Sequence, residues 1–222
     1  MNNTTSQRLA CKLNFVLPMM MADLAAMWRS DRIGEAYRSW MRTMHFTVRA
    51  TVPLMLFASE ACLARPGDPL ATEFGAFLAR HIREEYGHDR WVAADYVEAG
   101  GAAADLEDIV IGADVAAMVG AQYYWIRHAH PIALLGHMAV LEGNPPSALL
   151  AADLARRTGF APSAFRALER HSSIDVRHGQ EITRLIDSLT FTPQQEALMG
   201  LSALATVRGV MALASANGNL VG

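Results

Sequence analysis

Apolar residues recur with helical spacing along almost the entire chain, and this periodicity constrains the fold more than any other feature. Ala, Leu, Met, Arg and Glu dominate the periodic stretches, whereas runs of alternating β-branched residues, which are typical of strands, are missing. Most glycines and prolines fall between the periodic stretches, where they favour turns. The pattern therefore predicts an all-α protein.

The turn residues divide this periodic pattern into about seven helices. The predicted helices cover approximately residues 5–28, 33–64, 69–99, 112–142, 146–158, 162–188 and 193–216. Pro53 and Pro131 lie inside two of these stretches, where a proline should kink the helix or split it. No internal repeat and no long linker interrupts the series, so we expect one compact helical bundle.

Chain length and composition limit the classes of protein to consider. A chain of 222 residues with 52% hydrophobic composition suits a single domain, covering residues 1–222. The net charge of −3 and the absence of a Lys/Arg stripe argue against nucleic acid as a partner. Cys11 and Cys62 are far apart and form no Cys-x-x-Cys motif, which argues against a disulfide framework or a thiolate zinc site. We therefore expect a cytoplasmic protein.

The N-terminal region needs separate consideration because residues 15–27 are apolar and follow basic residues, as in a weak secretion signal. Pro18 and Asp23 interrupt this run, and no clean cleavage site follows, so a helix packed on the domain is the preferred interpretation. No other segment offers about 18 uninterrupted apolar residues. We therefore expect no membrane span.

An unusual set of ionisable residues lies within the apolar pattern. In the third predicted helix, Glu85 and His88 are three residues apart and should share one face. In the sixth, His171, Asp175 and His178 should lie within about 60° of arc. Glu142 ends a long apolar stretch, where a buried, unpaired carboxylate would be costly. These positions predict that carboxylates and imidazoles meet in the bundle core.

Three carboxylates and three imidazoles are a donor set suited to a pair of iron ions, and bundle-core sites are often built from Glu-x-x-His helices. Glu84 is then expected to turn outward while Glu85 turns inward. An alternative interpretation places these residues on exposed helix faces. In that case Glu85 would pair with Arg83, and Asp175 with Arg177, in surface ion pairs.

The order and spacing of these residues resemble a known family. Glu85-x-x-His88 is followed about fifty-four residues later by Glu142, and His171-x3-Asp175-x2-His178 comes about thirty residues after that. This arrangement resembles the haem-oxygenase-like di-iron oxidases and oxygenases, in a superfamily that includes the TenA thiaminases and pyrroloquinoline-quinone synthase. The resemblance covers about residues 35–215. The similar flanking segments are Tyr37–Trp40, Thr47–Met55 and Glu84–Asp89.

The resemblance implies a haem-oxygenase-like helical bundle and an iron-dependent oxidoreductase that uses dioxygen. It implies that two iron ions per chain are held by Glu85, His88, Glu142, His171, Asp175 and His178. The substrate would be a small amino acid or carboxylic acid that is oxidised, hydroxylated or fragmented. A homodimer is also expected.

Some members of the family take a further ligand from positions that correspond to Glu60 or His81. An outward-facing Glu60 is preferred here, and His81 is expected to line the pocket or orient a ligand rather than bind metal. Asp95 could orient a ligand histidine. The residues proposed to line a substrate pocket are Tyr124, Arg42 and Met138.

Two functions from other classes remain open at this stage. The first is a cofactor-free enzyme on the same fold, of the quinone-synthase or thiaminase type, which would use the histidines for acid–base chemistry. The second is a non-catalytic helical protein that binds metal or a partner. Iron content and oxygen consumption would separate these alternatives from the di-iron interpretation.

Overall fold

The computed structural model describes residues 3–107 and 109–218, and the regular structure in these ranges is entirely helical, which confirms the all-α prediction. The α-helices in the described ranges are α1 (Thr5–Leu13), α2 (Leu17–Trp28), α3 (Ile33–Val48), α4 (Thr51–Leu63), α5 (Pro69–Glu85), α6 (His88–Glu98), α7 (Ala113–His128), α8 (Ala133–Leu141), α9 (Leu150–Thr158), α10 (Arg166–Ser188) and α11 (Pro193–Gly218). Two short 3-10 turns are formed by Ala103–Leu106 and Pro162–Phe165.

Four of the seven predicted helices are each divided in two. Pro53 lies in the first turn of α4 and Pro131 lies between α7 and α8, so both prolines mark the splits that were predicted. The other two breaks were not predicted, although Pro18 lies in the first turn of α2. One separates α1 from α2, which are bent by 53°, and the other separates α5 from α6 at Tyr86 and Gly87.

The break between α5 and α6 has a clear backbone cause. Gly87 adopts a φ of +90°, in the left-handed region that only glycine enters readily, and it precedes the first residue of α6. Isolated glycines are often tolerated inside helices, so the sequence alone did not favour a break here. As a result, Glu85 is the last residue of one helix and His88 the first of the next.

The C-terminal helix α11 lies at the centre of the bundle and packs against α2, α7 and α8. Its contact with α8 is very close at Gly136, where an added Cβ atom would collide with the carbonyl oxygen of Met199 and lie 3.0 Å from the amide nitrogen of Ala203. This contact fixes the position of α8, whose C-cap residue is Glu142.

Helix α10 presents two kinds of residue on its inner face. Asp175 and His178 are buried in its middle, and Ile182 and Ile186 are buried towards its end. The helix packs against α6 and α8, so the apolar residues anchor it while the ionisable residues face the ends of those two helices. The amphipathic pattern of α10 thus places its polar side chains inside the bundle.

Two helical stretches in the described ranges, Ile33–Leu63 and Pro193–Gly218, are long and apolar enough to cross a membrane by length and composition alone. The expectation of no membrane span was based on uninterrupted apolar runs, whereas these stretches qualify by average hydropathy with a few charged residues. In the structure, half of the apolar window in the second stretch is buried inside the bundle.

Candidate metal centre

Four ionisable side chains from three helices converge in the bundle. His81 and Glu85 come from the last turns of α5, Glu142 caps the end of α8, and His178 projects from α10. One candidate ligand atom from each lies within 4.8 Å of the others, and all four residues are poorly accessible to solvent. We call this group the four-residue cluster.

The distances within the four-residue cluster are short. His178 Nδ1 lies 3.2 Å from Glu85 Oε1 and 3.2 Å from Glu142 Oε2. His81 Nε2 lies 2.9 Å from Glu142 Oε2 and 4.0 Å from Glu85 Oε1. Two imidazole nitrogens and two carboxylate oxygens therefore surround a common point, as ligands of a metal ion do.

The directions of these contacts are as informative as their lengths. His81 Nε2 and His178 Nδ1 are buried 2.9 Å and 3.2 Å from the buried Glu142 Oε2, but the angles of these contacts are not those of hydrogen bonds. His88 Nδ1 lies 3.1 Å from Glu85 Oε2, and it is likewise buried without forming a hydrogen bond. Buried polar atoms are nearly always hydrogen-bonded, so four unsatisfied atoms at one place indicate a missing partner.

Glu85 connects the four-residue cluster to a second group of side chains. Its Oε1 atom faces His178, whereas its Oε2 atom faces His88. The sequence argument placed Glu85 and His88 on one face of a single helix, which is wrong because the chain breaks at Gly87. The backbone turn at Gly87 nevertheless brings His88 beside Glu85, so the Glu85 carboxylate contacts both His178 and His88.

His171 lies beside His88, whereas Asp175 lies near Glu142, Glu85 and His178. The His171 ring is perpendicular to the His88 ring, with centroids 5.1 Å apart. His171 Nδ1 lies 2.7 Å from the carbonyl oxygen of Ala167, so Nδ1 must donate a hydrogen and Nε2 keeps its lone pair. This is the tautomer that can ligate a metal through Nε2. Asp175 is buried close enough to Glu85 and Glu142 to feel their charges.

Glu84 is a functional candidate that the sequence reasoning missed. It was expected to turn outward, but its Oε2 atom lies 3.0 Å from His178 Nε2 and 2.9 Å from Arg177. A carboxylate that accepts from one ring nitrogen leaves the other nitrogen, here Nδ1, directed at the four-residue cluster. This contact depends on how α10 crosses α5, which no local pattern in the sequence records.

The structure also corrects the role expected for His81. It was expected to line the pocket or orient a ligand, but its Nε2 atom lies inside the four-residue cluster and is one of the unsatisfied atoms. Phe77 stacks on its ring at 5.1 Å and fixes its plane. Glu60 is exposed on α4, as preferred, and is not part of the four-residue cluster.

Asp95 acts on the backbone rather than on a histidine ring. Its Oδ2 atom accepts a hydrogen bond of 2.6 Å from the amide of Ala167 in the first turn of α10. The carbonyl of Ala167 in turn accepts from His171. Asp95 therefore acts on His171 indirectly. Its carboxylate holds the N-terminus of α10 by satisfying a free amide group, and the carbonyl of Ala167 then orients the His171 ring.

The three residues proposed to line a substrate pocket lie elsewhere. Tyr124 is exposed on α7 and contacts the His128 ring. Arg42 donates to the carbonyl of Asp105, and Met138 is buried in the apolar core. None of the three lines the groove that opens beside the four-residue cluster. Helical spacing in the sequence could not distinguish a core position from a pocket position.

The charged groups of the four-residue cluster strongly shift one another's pKa values. Burial alone would lower the pKa of His178, but the carboxylates of Glu142 and Glu85 raise it to about 10. Burial raises the pKa of Glu85, but His178 and His88 together hold it far below its ordinary value. His178 therefore carries a positive charge between two carboxylates. A metal ion bound there would replace this charge, and such binding releases a proton.

Asp175 provides a pH-dependent test of the centre. Its burial, together with the charges of Glu142 and Glu85, raises its pKa to about 8 from an ordinary value of 3.8. The folded chain therefore keeps a proton that the unfolded chain has already lost. The stability from this group is complete below the ordinary pKa and disappears as the pH rises through about 8.

We therefore expect Asp175→Asn to flatten the pH dependence of stability in the metal-free protein. Between about pH 5 and about pH 8, the melting temperature of the wild type should fall relative to that of Asp175→Asn, because asparagine cannot ionise. Thermal melts in the presence of a chelator measure this, with exposed Asp31→Asn as the control. Parallel curves for wild type and Asp175→Asn would argue against a buried, charge-coupled Asp175.

The donor chemistry fits a transition-metal site. The two groups contain imidazoles and carboxylates but no thiolate, a mixture suited to iron, manganese or zinc and less so to calcium. Four buried donor atoms without hydrogen-bond partners point inward rather than to solvent. The geometry alone therefore supports metal binding, independently of any relative.

Comparison with known proteins agrees with this interpretation. The profile of a family described as iron-containing redox enzymes matches residues 38–209, which is most of the chain. The chain belongs to the family of iron-containing redox enzymes. The match covers His81, Glu85, Glu142 and His178, the four-residue cluster. A search of curated proteins finds no match.

Two solved structures identify the fold. One is a domain of unknown function with a haem-oxygenase-like fold from Shewanella denitrificans, with a TM-score of 0.71 and 16% identity over 93% of this chain and 89% of that one. The other is a TenA homologue from Pseudomonas syringae pv. tomato, with a TM-score of 0.72 and 15% identity over 97% of this chain and 92% of that one. The fold is therefore haem-oxygenase-like, as the sequence resemblance implied.

Proposed function

We propose that this family member holds two iron ions and uses dioxygen to oxidise a small organic substrate. The observation that carries the proposal is the convergence of four buried ligand atoms that lack hydrogen-bond partners, at His81, Glu142, His178 and His88. The description of the family as iron-containing supports iron as the metal. A cofactor-free acid–base enzyme would leave these four atoms unexplained.

The residues divide into two ligand groups that share Glu85. The first ion would be held by His81, Glu142, His178 and one oxygen of Glu85. The second would be held by the other oxygen of Glu85, with His88, His171 and Asp175. Three carboxylates in the combined set offset most of the charge of two ferrous ions. A carboxylate shared between two metals is common in helical-bundle di-iron proteins.

Bound iron would supply electrons for dioxygen reduction, which amino-acid side chains cannot supply on their own. The protein positions the metal ligands, sets their protonation states and excludes water from the site. Glu84 keeps the Nε2 atom of His178 protonated, so Nδ1 is free to face the metal. In His171 the carbonyl of Ala167 keeps Nδ1 protonated, so Nε2 is the free nitrogen. Asp175, which holds a proton when the centre is empty, releases it when a cation binds.

Oxygen consumption tests this proposal directly. Protein reconstituted with ferrous iron under anaerobic conditions should consume dioxygen when mixed with it, at about one dioxygen for every two ferrous ions, because two metals act together. Zinc-loaded protein, which has no redox chemistry, should consume none. Iron-loaded protein that behaves like the zinc-loaded sample would refute the oxidase function. As a soluble cytoplasmic protein, which we also propose, it would need no detergent in this assay.

A further inference from the structure

Trp91 connects two of the candidate ligand histidines to the protein surface. It lies one turn after His88 on α6, and the two rings stack with centroids 4.1 Å apart and an interplanar angle of 27°. The indole also meets the His171 ring at an angle of 64°, with centroids 6.1 Å apart. One aromatic side chain therefore contacts both imidazoles that would hold the second ion.

The contacts of Trp91 distinguish it from the other readily oxidised rings. Among the tryptophans and tyrosines within residues 3–107 and 109–218, Trp91 is the one with a ring contact to a candidate ligand histidine. Trp28, for example, contacts Tyr37 and Trp40 instead. The ring that stacks on His81 belongs to Phe77, which is much harder to oxidise than an indole. An electron that reaches the ligands from an aromatic side chain would therefore come from Trp91.

The outer side of Trp91 meets solvent and a positive charge. The guanidinium carbon of exposed Arg170 lies 4.5 Å from the centroid of the indole. The indole Nε1 atom is not among the buried, unpartnered atoms of the described chain, and no residue there accepts a hydrogen bond from it, so water reaches it. A cation beside the ring disfavours a second positive charge on it. Loss of an electron from Trp91 should therefore be accompanied by loss of the Nε1 proton to water.

We propose that Trp91 is an electron relay that protects the metal centre when the centre is oxidised without substrate. The oxidised centre takes one electron from the indole, and the Nε1 proton passes to water, which leaves a neutral radical on Trp91. A soluble one-electron reductant of the ascorbate class then returns the electron, and water returns the proton. The relay rests on the proposed oxidase function for its natural oxidant.

Peptide mapping by mass spectrometry tests the relay. Iron-loaded protein is exposed to dioxygen without substrate and digested, and oxidation is measured at each tryptophan. Trp91 should carry most of the oxidised product. Trp125, which is also partly buried but lies on α7, should stay at the level of zinc-loaded protein, because zinc has no redox chemistry. Added ascorbate should lower the yield at Trp91, since it reduces the radical before further reaction.

Trp91→Phe separates the relay from a packing role. Phenylalanine keeps a ring to stack on His88, so the affinity for iron should stay within about threefold of the wild-type value. Oxidation should instead increase at His88 and His171, because the indole no longer supplies an electron. Trypsin cleaves after Arg90, so His88 and residue 91 fall on separate peptides. Trp125→Phe, the matched control, should keep the wild-type oxidation pattern.

The outcomes distinguish failure of the relay from failure of the oxidase function. Iron-loaded protein that consumes dioxygen but oxidises Trp91 no more than Trp125 would overturn the relay alone, as would unchanged oxidation of His88 and His171 in Trp91→Phe. If the iron-loaded protein consumes no dioxygen, hydrogen peroxide replaces it as the oxidant. Selective oxidation of Trp91 by peroxide would then support the relay without the oxidase function, and equal oxidation of Trp91 and Trp125 would overturn it.

Discussion

Replacing Glu142 with alanine is expected to lower the affinity for the first metal ion by at least about a hundredfold, because the change removes a ligand at the centre of the four-residue cluster. His178→Ala should have a similar effect. Glu84→Gln, which alters only the partner of His178 Nε2, should reduce affinity by about tenfold. Competition with a chromophoric chelator, using zinc or ferrous iron, gives these affinities.

Two exposed residues serve as controls for this series. Glu169→Ala removes a carboxylate from the first turn of α10, and His128→Ala removes an imidazole at the end of α7. Neither residue belongs to the four-residue cluster, so both variants should bind metal like the wild type. If Glu142→Ala and Glu169→Ala bound metal equally well, Glu142 would not be a ligand.

The second large effect concerns the contact between α8 and α11. Gly136→Ala should lower the free energy of unfolding by about 3 kcal/mol or more, because the added methyl group collides with the backbone of α11 at Met199. Backbone atoms in two packed helices cannot give way as a flexible side chain can. Since α8 ends at Glu142, residual folded protein should also bind metal more weakly.

Gly120→Ala on neighbouring α7 is the control for Gly136→Ala. An added Cβ atom meets nothing within 4 Å at this exposed helical position. The substitution should therefore stabilise the protein by about 0.5 kcal/mol through the unfolded state. Chemical denaturation with both variants measures the difference, and similar unfolding free energies for the two would show that the α8–α11 contact is less tight than described.

Much of the fold was accessible from the sequence because helical periodicity and proline are local signals. The breaks near Pro53 and Pro131 were predicted for this reason. The break at Gly87 was not, because it depends on α5 packing against α4 while α6 packs against α3, and no local motif records this. The spacing argument therefore correctly predicted that Glu85 and His88 are neighbours, but it wrongly placed them on one continuous helix.

Some residues of the candidate site could likewise be predicted from the sequence, and others could not. Glu142 was found because it ends an apolar helical stretch, and His178 because it shares one helical face with His171 and Asp175. The positions of His81 and Glu84 depend instead on how α5 meets α8 and α10 in space, so spacing along one helix could not reveal them. The groove beside the four-residue cluster is likewise formed between α10 and a loop distant in sequence.

The most direct test of the two-iron centre is the iron content of the reconstituted protein. Protein treated with ferrous iron under anaerobic conditions and freed of unbound metal should contain about two iron ions per chain, since Glu85 presents one oxygen to each ligand group. The same preparation of His178→Ala should contain markedly less. An iron content near zero in folded wild-type protein would contradict the central claim.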